Sequence, residues 1–512
     1  MQDIIIAIDI GTTNVKCVAA DRSLRILGES QSEYETHCVG IARFEQDSED
    51  WWLHSKLALA GALKQAGASP SSVVAIAVSS QAPTMLPVDA DDKPLRPTLI
   101  WMDRRSERQC RDMNAQLGED RVFGITGSAA DPYYTFGELL WYRENEPEKY
   151  ERTHCILQCN GYVNFKFCGE MTIDRAHASL TQCYDVNRGD WSREIMDHYG
   201  VPVSLMPRVV ECTEVIGGVT ARVSAETGFP EGTPVLGGYV DANGAGLEGG
   251  VFEDGSVVEM SGTSSVVIVG TTQKYISKKL TYMYGSYPGQ HYLVCSMSTT
   301  GASLKWYRNN LYKGGPGNAY DNLNRMIETQ CPEPTSLIYL PYLAGERAPI
   351  WDSHAKGAFL GITLNTCEAE LVRAIQEGAA FALMDNLSEV YKTGAKVHKM
   401  RAVGGSTHSD IWMKIKASVI DMPIEIPRHN MGAPGGVLAM IAAALGDYAS
   451  IQEAAKAKFE VVRVIEPERR WVERYKEQFG LFKRYYEGCR ETFRLVDEMR
   501  ARQYSAHIDR KG

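Results

Sequence analysis

The sequence predicts an α/β protein built from two related domains, and three observations carry that prediction. A short apolar run, a Gly-Thr-Thr or Gly-Thr-Ser turn and a second β-branched run occur twice, at residues 4–16 and 257–268. Gly11, Thr12 and Thr13 of the first copy thus stand against Gly262, Thr263 and Ser264 of the second. Elsewhere, strand-like apolar runs alternate with helical periods, the pattern of a layered α/β domain. At 512 residues the chain exceeds what one hydrophobic core supports, so two domains of about 200–250 residues follow.

Residues 1 to about 30 read as a meander: the first hairpin, then a strand ending near Asp21 and a polar turn. Residues 50–66 have helical periodicity, with Leu53, Leu57, Ala60 and Leu63 along one face. Residues 73–78 are wholly apolar, a fully buried strand that runs into Ser79, Ser80 and Gln81. Residues 235–240 form another strand, followed by Asp241 and the small residues 242–246, a flexible or closely packed junction next to a hinge. Residues 371–387 are an amphipathic helix, and 400–403 a strand leading into Gly404, Gly405 and Ser406. Residues 471–499 have helical spacing and form a C-terminal helix that folds back on the body. The expected division is 1–246, 247–450 and a helical tail at 451–512.

Composition narrows the function classes. A net charge of −10 and a pI near 5.7 argue against nucleic acid or an anionic membrane as partner. No run of 18 apolar residues occurs, and Met1 leads directly into a strand-like segment, so neither a membrane span nor a signal peptide is expected. Twelve scattered cysteines without a metal-ligand spacing read as reduced thiols of a cytoplasmic protein.

The hairpin turns carry the chemistry. Glycine lets a phosphate approach the backbone closely, and the threonine hydroxyls add donors without bulk. Only the first copy has an acid two residues before its glycine. Asp9 there is suited to hold Mg²⁺ through water, whereas the second copy has Met260. Asp9 is also compatible with a plain turn role. Asp241 reads equally as a helix N-cap or as a general base at a strand end. Lys16 either reaches phosphate or is a solvated lysine.

Three further runs extend the pattern: residues 101–105 (Trp-Met-Asp-Arg-Arg), 340–349 (Leu-Pro-Tyr-Leu-Ala-Gly-Glu-Arg-Ala-Pro) and 357–362 (Gly-Ala-Phe-Leu-Gly-Ile). With the hairpins they resemble the FGGY carbohydrate kinases of the actin/hexokinase/Hsp70 superfamily, nearest to the xylulokinase branch. The resemblance covers residues 4 to about 444. It implies two actin-like (ribonuclease H-like) domains with an interdomain cleft, and ATP-dependent phosphorylation of a sugar or polyol with Mg²⁺. A ketopentose such as xylulose leads, with other ketoses, polyols or aldonates as alternatives. An actin-like nucleotide switch or a sugar sensor is the non-catalytic alternative, and a homodimer is the candidate assembly.

The resemblance assigns Asp241 as catalytic base and Asp9 to the metal. It gives Gly11, Thr12, Thr13, Gly262, Thr263 and Ser264 to phosphate, and Gly404, Gly405 and Ser406 to adenosine. Gln81, Ala82, Trp101, Asp103, Tyr133 and Asp241 fall to the substrate. Trp101 is open to a core role, and Asp103 to a salt bridge with Arg104 or Arg105. Several positions depart from the family. Gln81 is followed by Ala82, Pro83 and Thr84 where xylulokinases usually place Met-His-Gly and glycerol kinases Arg-Glu. Ala242 replaces a common Asn or Gln, and Glu138 stands where lysine is usual. Lost hydroxyl partners change which polyol a site accepts.

Overall fold

The computed structural model describes residues 3–40, 42–428 and 431–508, so the outermost residues of the first and last expected segments lie outside the described residues. The chain packs as two compact units. The first comprises Met1–Asp254, Gly270–Leu293 and His429–Phe459, the second Gly255–Val269, Val294–Arg428 and Glu460–Gly512. This grouping departs from a continuous split at 246 and 450. The physical reason lies in glycine packing: a Cβ on Gly436 would collide with the backbone of Gly244, so the helix Ala433–Ala444 lies directly on the helix Asp241–Glu248. Close packing, not flexibility, thereby explains the small residues after Asp241. Likewise Val461–Ile465 is a sheet strand, so the C-terminal helix begins only at Arg469.

The principal sheet of the first unit has six strands: β1 (Ile4–Ile10), β2 (Asn14–Asp21), β3 (Ile26–Glu33), β4 (Val73–Ser80), β5 (Val215–Gly218) and β6 (Pro234–Val240). Their spatial order is β5-β6-β4-β1-β2-β3. β1 pairs antiparallel with β2, from Ile4 opposite Asp21 to Ile10 opposite Val15, and parallel with β4. β6 in turn runs parallel to β4. Isoleucines 4, 5, 6, 8 and 10 of β1 are all buried, as a strand covered on both faces requires.

The helix Ser48–Ala66 starts on Asp47, whose carboxylate accepts from Glu49 N at 2.9 Å, and stops at Gly67 with φ 61°. Its buried stripe is not the leucine face expected from the sequence. Trp51, Trp52, Ala58, Leu59, Ala62 and Leu63 face the sheet, while Leu53 and Leu57 are exposed. Close approach decides this: a Cβ on Gly28 of β3 would strike the Ala62 carbonyl, so the small-residue face must meet the sheet.

A second sheet contains β7 (Ser256–Ser261), β8 (Ser265–Thr271), β9 (His291–Met297), β10 (Lys399–Gly404), β11 (Ile424–Pro427) and β12 (Val461–Ile465). These lie in the order β9-β8-β7-β10-β11-β12. β7 and β8 form the second antiparallel hairpin, and β7 pairs parallel with β10. The fold is α/β with two domains of actin-like type. No helix among the described residues is long and apolar enough to cross a membrane.

Candidate active site

Three adjacent parallel strands of the first unit end together. Asp9 near the end of β1 is in register with Ser79 of β4, and Tyr239 and Val240 of β6 align with Ser79 and Ser80. Asp241 follows at once as the first residue of its helix. Two acids therefore flank one serine-ended strand at the carboxyl edge of a parallel array, where α/β sheets bind ligands. Ser79 Oγ donates to Asp9 Oδ1 at 2.8 Å, and Ala242 N donates to Asp241 Oδ1 at 2.6 Å. The N-cap position belongs to Val240, which has no side-chain cap, so Asp241 is not a capping residue.

Both carboxyls titrate above the ordinary range. Burial is the main cause for each; for Asp9 the charge of Asp241 adds to it, opposed by Ser79 and Lys16. The Ala242 N–H and the charge of His177 pull Asp241 the other way. His177 was not singled out by sequence reasoning. It is fully buried, with Nδ1 2.5 Å from Asp174 Oδ2 and Nε2 3.1 Å from Ser80 Oγ. Lys16 lies 3.3 Å from Glu29 and 3.4 Å from the Met431 carbonyl.

The first turn is held from below and open above. Gly11 N donates to Asn14 O at 2.9 Å, and the Thr12 carbonyl accepts from Gln46 Nε2 at 2.8 Å and Thr36 Oγ1 at 3.0 Å. The half-buried Trp101 donates its indole N–H to Thr12 Oγ1 at 3.1 Å, which places it beside the turn and not in the core. The Ala82 carbonyl accepts from Tyr133 Oη at 3.1 Å, next to the cis Ala82–Pro83 bond. Gln81 is buried, its amide donating to Gln46 Oε1 at 2.7 Å.

Asp103 takes the salt-bridge alternative, with Arg105 as its partner. It is fully buried and accepts from Phe44 N at 2.7 Å and from the Arg105 backbone, Nε and Nη2 at 2.8–2.9 Å. All its acceptor capacity goes into the fold, so it has nothing to offer a sugar; Arg104 pairs with Asp131 instead. Glu138 lies nearby with neither carboxylate oxygen hydrogen-bonded, and burial holds its pKa well above the usual range.

In the second unit a cavity of about 410 Å³ is lined by Gly262, Thr263, Gly405 and Ser406. This size suits a small ligand. Ser264 lies beside it in the same turn, and Gly404 takes φ 94° immediately before. Gly301, Lys305, Tyr320 and Trp412 complete walls that sequence reasoning missed. Gly301 is forced by contact: a Cβ there would strike the Gly262 carbonyl, and Ala302 N donates to Thr263 O at 2.8 Å. A strand entering a helix through Thr300 and Gly301 was the available signal. A larger depression of about 650 Å³ in the first unit directs no chemistry, because its cations Arg175 and Arg208 are paired with Glu211 and Glu214.

Strand-end acids lie in the first unit and a cavity between glycine turns lies in the second. The FGGY family of carbohydrate kinases matches through its N-terminal domain over residues 4–247 and its C-terminal domain over 258–445. The chain belongs to that family. It is 26% identical over 484 residues to a xylulose kinase of Bacillus subtilis, covering 94% of this chain and 96% of the relative. It is 28% identical over 476 residues to a glycerol kinase of Thermococcus gammatolerans, covering 91% and 94%. The crystal structure of xylulose kinase from Rhodospirillum rubrum superposes with a TM-score of 0.90 at 24% identity, over 96% of this chain and all of that one.

Proposed function

We propose that this carbohydrate kinase transfers the γ-phosphoryl group of ATP to a hydroxyl of a ketopentose such as xylulose, with Asp241 as the base. The carrying observation is the strand-end pair of Asp9 and Asp241 on either side of Ser79. Asp241 accepts the proton of the attacking hydroxyl, the oxygen bonds to the γ-phosphorus, and ADP leaves. Burial lifts the Asp241 carboxyl toward neutrality, which improves it as a proton acceptor, while His177 keeps its ionised form accessible.

The acid pair also fits Mg²⁺: an oxygen donor set with excess negative charge suits an ion that takes one or two carboxylates and keeps its water. Asp9 would hold it, and the bound ion would neutralise charge on the phosphates. Gly11, Thr12, Thr13, Gly262, Thr263 and Ser264 serve the phosphates. Gly404, Gly405 and Ser406 serve adenosine.

A second reading, a smaller or differently oxidised polyol such as glycerol or an aldonate, is favoured by one observation. Asp103 is consumed by Arg105, Tyr133 donates to Ala82 and the Gln81 amide nitrogen to Gln46, so of these side chains Gln81 Oε1, without a hydrogen-bond partner among the described residues, is the main group left for a sugar's hydroxyls. ADP release measured against a panel of ketoses, alditols and aldonates separates the two. Asp241→Ala should abolish turnover with the best acceptor while ADP binding persists. Phosphorylation retained by that variant would remove Asp241 from the base role.

A further inference from the structure

We propose that the buried ion pair of Lys416 with Glu259 is a positioning device for the nucleotide, fastening the phosphate hairpin to the glycine turn at 404–406 from behind the cavity wall. This rests on reading that cavity as the nucleotide site. Lys416 and Glu259 are both fully buried, and Lys416 Nζ lies 2.6 Å from Glu259 Oε1. Its remaining contacts are Ser261 Oγ and Ser406 Oγ, each at 3.4 Å. An ammonium group has three N–H donors, and three oxygens from two segments, the strand β7 and the turn at 404–406, meet them.

Those segments are the ones that line the cavity. Ser261 precedes Gly262 at the end of β7, Ser406 follows Gly405, and Trp412, whose ring centroid lies 5.0 Å from Lys416 Nζ, forms another wall. Ser261 also accepts from Ser265 Oγ at 3.4 Å, and Ser265 bonds Thr300 Oγ1 at 2.6 Å, one residue before Gly301. A single polar chain thus links the adenosine turn, the hairpin and the helix start.

Stability does not account for such a pair. Withdrawing two charges from water offsets most of their attraction, and well-packed apolar residues generally serve a core as well. Glu259 Oε2, moreover, has no hydrogen-bond partner among the described residues. What the pair supplies is directional: a point charge that fixes two hydroxyls, and through them two turns, at once.

The test is ADP titration by calorimetry, with melting temperature recorded for every variant. Lys416→Met combined with Glu259→Met leaves no orphaned charge and should fold, while weakening ADP binding about tenfold. Lys416→Gln with Glu259→Gln restores hydrogen bonding without charge and should return the dissociation constant to within about threefold of wild type. A folded methionine pair with wild-type ADP affinity would overturn the proposal. Should that pair not fold, Glu259→Gln alone decides: a dissociation constant raised about threefold supports positioning, and an unchanged one overturns it. Gly405→Leu, which fills open space in the cavity, tests the underlying reading separately. Loss of ADP binding there with no effect of the pair variants sinks only the proposal; retained binding sinks both.

Discussion

Alanine at Gly11 and at Gly262 separates what the fold needs from what a ligand needs. A Cβ on Gly11 would meet nothing nearer than Asn14 O at 3.4 Å, and on Gly262 nothing nearer than Ser264 O at 3.7 Å. Neither glycine has a positive φ, so neither turn requires glycine for its own geometry. Each substitution then removes freedom from the unfolded chain only, and favours the fold by about 0.4–1 kcal/mol. At roughly 2–4 °C per kcal/mol for a unit of this size, the melting temperature rises by about 1–4 °C. A phosphate seated on the turn feels the opposite, because the new methyl crowds the approach to the hydroxyls and N–H groups of the residues that follow, the glycine N–H itself being spent on Asn14 O or Ser264 O. One lost hydrogen bond to a charged group is worth about 1.5–3 kcal/mol, or roughly a 10- to 150-fold fall in kcat/KM for ATP. Gly404→Ala is the contrast: with φ 94° and a Cβ driven into the Ser261 carbonyl, it should lose about 1–3 kcal/mol of stability. Differential scanning fluorimetry and coupled ADP release at saturating acceptor read both quantities. Wild-type ATP kinetics in Gly11→Ala and Gly262→Ala would refute phosphate binding at the turns. A fall in their melting temperature would refute the geometric argument.

Three other variants probe the first unit. Asp103→Asn weakens a buried charge contact of Arg105, which keeps Glu45 at 2.8 Å; a loss of about 3 kcal/mol in denaturant unfolding is expected, with the acceptor KM of the folded enzyme unchanged. Glu138 has a folded pKa raised above its unfolded value of about 4.3, so its contribution is complete below that pH and is lost as pH rises toward the folded pKa. Glu138→Gln should therefore flatten the decline of stability with rising pH, as followed by urea titrations at several pH values. His177→Asn removes a charge that favours ionised Asp241; the acid limb of the kcat/KM profile should move to higher pH, and a limb that stays in place would disconnect His177 from the base.

Much of this was readable in sequence because it is local. The two hairpins, the acid at Asp9 and the strand before Asp241 depend on patterns of ten residues or fewer, and backbone pairing follows such patterns closely. What escaped depends on contacts between distant segments. Leu53 and Leu57 satisfy a helical period but lie in solvent, because Gly28 and Ala62 let a different face approach β3. Asp103 carries the residue type a sugar site wants. The neighbouring Arg105 was already a candidate partner for it, whereas the Phe44 amide that also holds it comes from 59 residues away. The ligand of Lys416 lies 157 residues from it, beyond any periodicity.

The repeated hairpin also places its acid differently in the two copies. Placing Gly11 on Gly262 aligns Asp9 with Met260 and Ile8 with Glu259. Burial follows the same alignment: Asp9 and Met260 are half-buried, whereas Ile8 and Glu259 are fully buried. Successive residues of a strand point to opposite faces, so moving an acid by one position moves it to the other side of the sheet. In β1 the acid stands on the half-open side, next to Ser79. In β7 it stands on the closed side, where only a counter-charge from within the fold, Lys416, makes it tolerable. Exchanging the two patterns is the decisive contrast. An acid at position 260 would sit beside Val403, its register partner on β10, with no serine to receive it, whereas Asp9 has Ser79. The face chosen for one carboxylate decides whether it meets a serine at a half-open strand end or is closed in with a lysine.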